Sequence, residues 1–490
     1  MHFIEPDNRN QLSLNNNMND WVGKDNVVRL IDVMVDQIVK SQPGSFANRG
    51  QNDLGRKAYR PETLQKLYLY GYLNGICSSR KLEKECYRNV EVMWLLGNLR
   101  PDHKTISDYR KNNQEAIRGV CLSFRKFLKE QGFIDGNTVA YDGTKIKANA
   151  SKEMVNRSEV DKQIKKLETE LDKYLTQLQN NDIVEDLEEQ LNSISNDFDV
   201  EPVLLQKIAD LEKQLEEAKT HKQFLDSEGL KSYSPADPES RLMKSRDGYH
   251  PAYNVQTGVD KKSKMIVVAE VTNSINDLDQ LPTNVEKTKE QTGIVPKTVE
   301  ADRGYAELDG IQSIENNNPG TECVVPLPST KQNNKDKEAG ISFTFNTEEN
   351  CFVCNQGRKL TLKAKNVEKR GKIYDTYQGS CSGCPKKSSC TESAKGRIVN
   401  RSHNVDWIDQ YKKRLTNPDA KEKIKERKTL VEHPYGTIKC MLGKIPLRLR
   451  GIEKVQIEID IVTTAYNLKR LLTLDTMENL IMRAKNHSWA

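Results

Sequence analysis

Long apolar runs are missing from this sequence. Nowhere in its 490 residues do about 18 apolar positions follow one another, so no membrane-spanning helix is expected. The opening Met1-His2-Phe3-Ile4-Glu5-Pro6-Asp7 has no basic stretch followed by an apolar one, and no secretory leader is expected there. Aromatic residues make up only 6% and hydrophobic residues 36%, which describes a soluble, polar chain. The length still suffices for roughly two to four domains with proper cores. Ten cysteines are too few for a disulfide scaffold, and five of them crowd between Cys351 and Cys390. Without a leader, that crowding favours metal over disulfides.

Charge is unevenly shared. The net +6 conceals a segment, Val155 to Leu230, with 9 basic and 19 acidic residues; the rest of the chain carries +16. Arg401 to Arg450 alone holds 13 basic and 6 acidic side chains. A basic body with an acidic appendage points to a polyanionic partner for the body, although ordinary surface solvation gives the same composition.

In chain order, Val27, Leu30, Ile31, Met34 and Ile38 form the stripe of an amphipathic helix over about Asn26–Val39. A Ser-, Gly- and Asn-rich loop follows from Ser41 to Gly55. Helices then start at Pro61, near Ser79 and near Asp102. The last presents His103, Lys104, Thr105, Ser107 and Arg110 as exposed residues, a succession similar to a helix-turn-helix reader of DNA. Val160, Ile164, Leu167, Leu171, Tyr174 and Leu178 step by heptad spacing, as do Leu204, Ile208, Leu211, Leu215 and Ala218. Two such runs predict an antiparallel helical hairpin, with an intermolecular coiled coil as the rival.

Strand patterns occupy Val139–Lys145, Tyr253–Val259, Met265–Val271, Lys297–Asp302 and Glu322–Pro326, with helices from about Asp277 and Ala306 between the later ones. Three β segments followed by alternating helices and strands predict an α/β fold, a ribonuclease-H-like mixed sheet flanked by helices. Helices return over Asp406–Leu415, Ala420–Val431 and Ile457–Leu474.

Three acidic residues stand out. Asp142 follows Tyr141 near the end of a strand, Asp302 lies in Ala301-Asp302-Arg303-Gly304-Tyr305, and Glu432 in Val431-Glu432-His433-Pro434-Tyr435-Gly436. Two divalent cations about 3.5–4 Å apart drive phosphoryl transfer by activating the attacking oxygen and stabilising the leaving one. Carboxylates, waters and substrate phosphates suit Mg²⁺. Plainer readings stand beside this one: Asp142-Gly143 as a turn, Asp302 as an ion-paired residue, Glu426 in place of Glu432. Lys439 falls on nearly the same helical face as Glu432. Pro434 means that Glu432 either begins a helix or lies where one bends.

Taken together, the segments around Asp142, Asp302 and Glu432, with Lys439, resemble the three signatures of bacterial insertion-sequence transposases of the DDE (RNase H-like) class. The likeness extends over nearly the whole chain. It implies that Asp142, Asp302 and Glu432 hold two Mg²⁺ (or Mn²⁺) ions and that Arg303 and Lys439 touch DNA. The basic residues before the glutamate, Lys425, Arg427 and Lys428, depart from the spacing of many relatives.

The resulting expectation is a transposase that cleaves and joins the ends of an insertion sequence. The alternatives are a nuclease of the same fold without strand transfer and a non-catalytic DNA-binding protein. DNA contacts are expected at Lys104, Thr105, Arg110, Lys145, Arg241, Lys244, His250, Arg303, Arg427 and Lys439. Arg246, Lys412, Lys413, Arg414 and Arg448 are further candidates, whereas Trp407 reads as a core residue before a base-stacking one. A homodimer on double-stranded DNA, in the cytoplasm with the bacterial nucleoid, completes the expectation.

Two CxxC pairs, Cys351/Cys354 and Cys381/Cys384, suit a structural Zn²⁺ site, with Cys390 or His403 able to replace one member. The expected layout is a helical DNA-binding region (1–134), a catalytic core in three pieces (135–154, 233–326 and a helical 401–490), the hairpin (155–232) and a cysteine-rich, zinc-ribbon-like insertion (327–400).

Overall fold

The computed structural model describes residues 18–41, 59–151, 153–191, 200–245, 247–327, 340–369, 372–402 and 404–489. Arg246, His403 and most of the loop expected over Ser41–Gly55 lie outside them. Residues 1–298 with 429–490 form one compact unit, and residues 299–428 a second. The architecture is mixed α/β.

In the first unit, helix α1 (Val27–Ser41) buries Val28, Leu30, Ile31, Met34, Val35 and Ile38, the one-sided stripe that its periodicity requires. Pro61 opens α2 (Pro61–Leu73), which is buried on nearly every side. Lys66 is tolerated there because Asp32 (2.6 Å) and Asp36 (2.7 Å) of α1 meet its ammonium. Helices α3 (Ser79–Arg88), α4 (Val90–Leu95), α5 (His103–Asn112) and α6 (Gln114–Glu130) follow. The Asp102 carboxylate caps α5, accepting the Thr105 backbone N–H at 2.8 Å.

One exposure expected from the sequence is wrong. Arg110 is only 3% exposed. Its guanidinium donates to the Tyr72 hydroxyl (3.0 Å) and pairs with Glu458 (3.1 Å). The partner is 348 positions away, so no local pattern announces the burial.

Strand β1 (Thr138–Lys147) is followed by the two-residue β2 (Val155–Asn156), α7 (Arg157–Leu191), α8 (Val200–Ser227) and β3 (Ser232–Tyr233). The helices run antiparallel, as the pairs Lys222–Asp161 (2.8 Å) and Lys219–Glu168 (3.9 Å) require. Val160, Ile164, Leu167, Leu215, Ala218, Leu225 and Tyr233 form their separate apolar core.

The chain then makes β4 (Arg241–Ser245), β5 (Gly248–Asp260), β6 (Ile266–Thr272) and α9 (Leu281–Thr292). One edge of β5 pairs antiparallel with β1, with Asp142 opposite Thr257. Its other edge is shared by β4 and then β6. Strand β4 did not stand out in the sequence, because five mostly polar residues carry no clear alternation.

Helix α14 (Ile452–Leu471) packs on α2, α6 and β6 and is buried on almost every side. It also satisfies the backbone of β6. The Asn467 side chain takes the N–H and C=O of Ile266, both at 2.8 Å, and Gln456 binds the Val271 N–H and Ala269 C=O at 2.7 and 2.9 Å. Buried backbone groups demand such partners. Helix α15 (Met477–Asn486) ends this unit.

The second unit holds β7 (Thr298–Glu300), α10 (Leu308–Asn317) and β8 (Glu322–Val324), then a five-stranded antiparallel meander. Its strands are β9 (Phe343–Asn346), β10 (Cys351–Cys354), β11 (Lys359–Lys369), β12 (Lys372–Gly379) and β13 (Ile398–Ser402), with the one-turn helix α11 (Lys387–Cys390) before the last. Phe345, Phe352 and Tyr377 stack edge to face on one side. In α12 (Val405–Thr416), Tyr411 closes a two-way hydrogen bond with the Val325 backbone, and Trp407 stacks on its ring at 5.1 Å. Helix α13 (Pro418–Leu442) runs unbroken with Pro434 inside it, so Glu432 is not at a helix start. Among the described residues no helix is long and apolar enough to cross a membrane.

Candidate active site

Asp142 sits half-buried in the middle of β1, and the Thr257 hydroxyl donates to its carbonyl oxygen at 3.3 Å. The next residue, Gly143, lies directly under two polar side-chain ends. A Cβ on Gly143 would run into the Asp277 carboxylate and the Gln256 amide. Through that gap Asp277 accepts from Asn254 Nδ2 (2.6 Å), Gln256 Nε2 (2.7 Å) and Lys145 Nζ (3.1 Å). Sequence reasoning missed Asp277. The only local signal is a polar run, Asn273-Ser274-Ile275-Asn276-Asp277, between a strand and a helix.

Glu432 is exposed on α13, and Lys439, two turns on, is exposed as well. Three residues after Glu432 the same helix turns Tyr435 inward. Its hydroxyl is buried near those of Thr257 and Thr144, with no well-formed hydrogen bond among the described residues. Burial pushes the phenol up to about 12; the two threonine hydroxyls oppose this and the Asp142 charge adds to it. Tyr435 thus brings the helix of Glu432 against the β1–β5 pair that carries Asp142. His433 shares its Nδ1 with the Tyr466 hydroxyl at 3.1 Å.

Asp302 belongs to the second unit. It is half-buried and caps the one-turn helix Arg303–Tyr305, accepting the Gly304 N–H at 2.7 Å. Arg303 is exposed. Carboxylate oxygens suit a hard divalent cation. Among the described residues, however, no group of three or more His, Cys, Asp and Glu side chains is assembled that could hold a metal ion.

The expected DNA contacts divide by exposure. Lys104, Lys244, Lys412, Lys413, Lys439 and Arg448 are exposed, and Thr105 and Arg427 are half-buried. Arg241 turns its guanidinium to the carbonyls of Pro238 (2.8 Å) and Ser240 (3.0 Å). His250 is buried with its ring on the Asp247 carbonyl at 2.9 Å. Lys145 is held by Asp277, and Arg414 pairs with Glu315 while lying 4.9 Å over the Tyr411 ring.

The cysteines are not gathered as their spacing suggested. Cys354, Cys381, Cys384 and Cys390 line one pocket, which Cys351 does not reach. Three steps along a strand reverse the face of a side chain, and that separates Cys351 from Cys354. Cys351 is buried instead, with its thiol donating to Glu349 at 3.5 Å; burial and that carboxylate push the thiol up.

Comparison with known proteins places two segments. Residues 16–112 match a family described as a transposase domain, DUF772, and residues 353–472 match a transposase DDE domain. Glu432, Lys439 and Cys354 to Cys390 fall inside the second match, whereas Asp142 and Asp302 lie outside both. No curated protein matches the chain. Among solved structures, a piggyBac transposase synaptic complex with hairpin DNA is 9% identical, with 94% of this chain and 79% of that one covered at a TM-score of 0.29. Through these two matched segments the chain is similar to transposases. Within that class, the chain is similar to the DDE type.

Proposed function

We propose that the chain is a DNA transposase that binds the ends of an insertion sequence, cleaves there and joins the freed 3′ end to target DNA. The observation that supports this most is the docking of the Glu432 helix, through Tyr435, on the strand pair that carries Asp142. Asp142, Asp302 and Glu432 are its acidic residues, on a ribonuclease-H-like core split among residues 135–154, 233–326 and 401–490. Bound to them, two Mg²⁺ or Mn²⁺ ions would supply Lewis-acid activation of the attacking oxygen and charge stabilisation for the leaving one.

The chain's own share is positional. Asp277 fixes the Lys145 ammonium three residues from Asp142 on the opposite face of β1, so the pair steadies the strand that carries the acidic residue. Exposed Lys439 lies on the Glu432 helix and offers a phosphate contact close to the reacting bond. Exposed Lys104, in the helical region 1–134, offers another far along the chain, as binding of a long duplex segment by a homodimer needs. The acidic hairpin at 155–232 is assigned to protein contacts and not to DNA.

The test uses a duplex carrying the element's own terminal repeat, end-labelled, with the full chain and Mg²⁺. Cleavage and joined products are expected from the wild type. Asp142→Asn and Glu432→Gln should each lose at least about 10²-fold in cleavage with DNA binding kept. Cleavage without joined products would assign the chain to the nucleases instead, and undiminished cleavage in both variants would remove these residues from the chemistry.

A further inference from the structure

Strand β10 sends its side chains alternately to the two faces of the meander, so Cys351 and Cys354 cannot share a ligand. Cys354 is opposite Phe343 in the register and therefore lies on the Phe343/Phe345/Phe352 face. There it lines the pocket with Cys381, Cys384 and Cys390, the last contributed by α11. The pocket has a volume of about 20 Å³, room for a single ion and too little for an organic ligand.

We propose that Cys354, Cys381, Cys384 and Cys390 are the four ligands of a structural zinc ion, with Cys351 outside the site. Four soft sulfur donors on one small space are the donor set that Zn²⁺ takes in closed structural sites. The backbone supports two of them: the Arg358 N–H points to the Cys354 sulfur and the Arg397 N–H to the Cys381 sulfur, each at 3.4 Å. Backbone N–H groups aimed at sulfur in this way hold and orient ligands around a metal. Arg358, Lys386, Lys387 and Arg397 also line the pocket and offset the net double negative charge of four thiolates on one Zn²⁺. Cys351 has opposite surroundings, a carboxylate beside its thiol and Lys359 bonded to that carboxylate at 2.7 Å. The four sulfurs share the pocket without yet meeting at one point. Bonds of about 2.3 Å to zinc would draw them together, coupling metal uptake to closure of this end of the meander.

The experiment reads metal and thiols, not transposition. The full chain is purified with reductant, stripped by chelator, and half is reloaded with Zn²⁺ alone. Both halves are alkylated briefly, and each cysteine is quantified by peptide mass spectrometry. One zinc per chain is expected, with labelling of Cys354, Cys381, Cys384 and Cys390 cut at least tenfold by zinc and that of Cys351 unchanged. Cys351→Ser should keep its zinc; Cys390→Ser should lose it while retaining the helical circular dichroism of the wild type. The proposal is overturned if the reduced full chain takes up no Zn²⁺, or if zinc protects Cys351 and leaves Cys390 reactive.

Discussion

Arg125 on α6 and Asp460 on α14 form an ion pair of 2.8 Å that solvent does not touch on either side. Arg125 also donates to Gln291 and Thr463, each at 3.0 Å, and Asp460 takes a second guanidinium, from Arg118, at 3.3 Å. Removing one partner strands a buried charge. Arg125→Met and Asp460→Leu should each cost about 3–5 kcal/mol in urea unfolding, and the double variant much less than their sum. Additive losses would show that the two side chains do not act as a pair.

Tyr435 should matter through its ring and not through its hydroxyl. Among the described residues the hydroxyl has only the Thr257 and Thr144 hydroxyls near it and no well-formed hydrogen bond, so Tyr435→Phe should change stability by less than about 1 kcal/mol. Tyr435→Ala opens a cavity between α13 and β1–β5 and should cost about 3–5 kcal/mol, with cleavage lost as the Glu432 helix loosens. A thermal melt and the labelled-end reaction on both variants decide; equal loss from the two substitutions would refute the claim.

Acid should destabilise the fold through His433. Burial, then the charges of Lys264 and Arg470, hold this imidazole below its ordinary 6.5. The unfolded chain therefore takes up the proton first. Stability is full above pH 6.5 and declines as pH falls toward the lower folded value. Tyr466 already gives its proton to the Lys264 carbonyl (2.6 Å), so His433 Nδ1 is the donor in their contact. His433→Gln should flatten that part of the stability–pH curve; an unchanged slope would place its origin elsewhere.

Gly143→Ala should disturb the Asp277 cluster before anything else. The added methyl has to push the carboxylate off Gln256 and Lys145, at a cost of about 1–3 kcal/mol. DNA cleavage should fall as well, since the cluster steadies the strand whose opposite face carries Asp142. Wild-type turnover by this variant would show the cluster to be incidental.

Cys351→Ser and Cys390→Ser provide the remaining contrast. Cys351 supplies burial and a contact to Glu349, so its replacement should lower the melting temperature slightly at any zinc level. For Cys390→Ser the loss should vanish when zinc is stripped from the wild type as well, because ligand binding to the native state is what stabilises it.

What could be read from the sequence was local. The stripe of α1, the heptads of α7 and α8, and the strands β5 and β6 flanking Asp260–Lys264 each repeat over a few residues, and the backbone geometry imposes the same periods. The signature around Glu432, inside the segment that matches a transposase DDE domain, was legible for a related reason: side-chain type at fixed spacing carries it. Pairing between distant positions was not. Glu458 took Arg110 out of solvent, Asp277 closed on Gly143, and the alternation of β10 divided Cys351 from Cys354 while α11 delivered Cys390. Each of those outcomes depends on which surfaces meet once the chain is folded, and a linear order of residues does not contain the distances across which charge, sulfur and hydrogen bonds act.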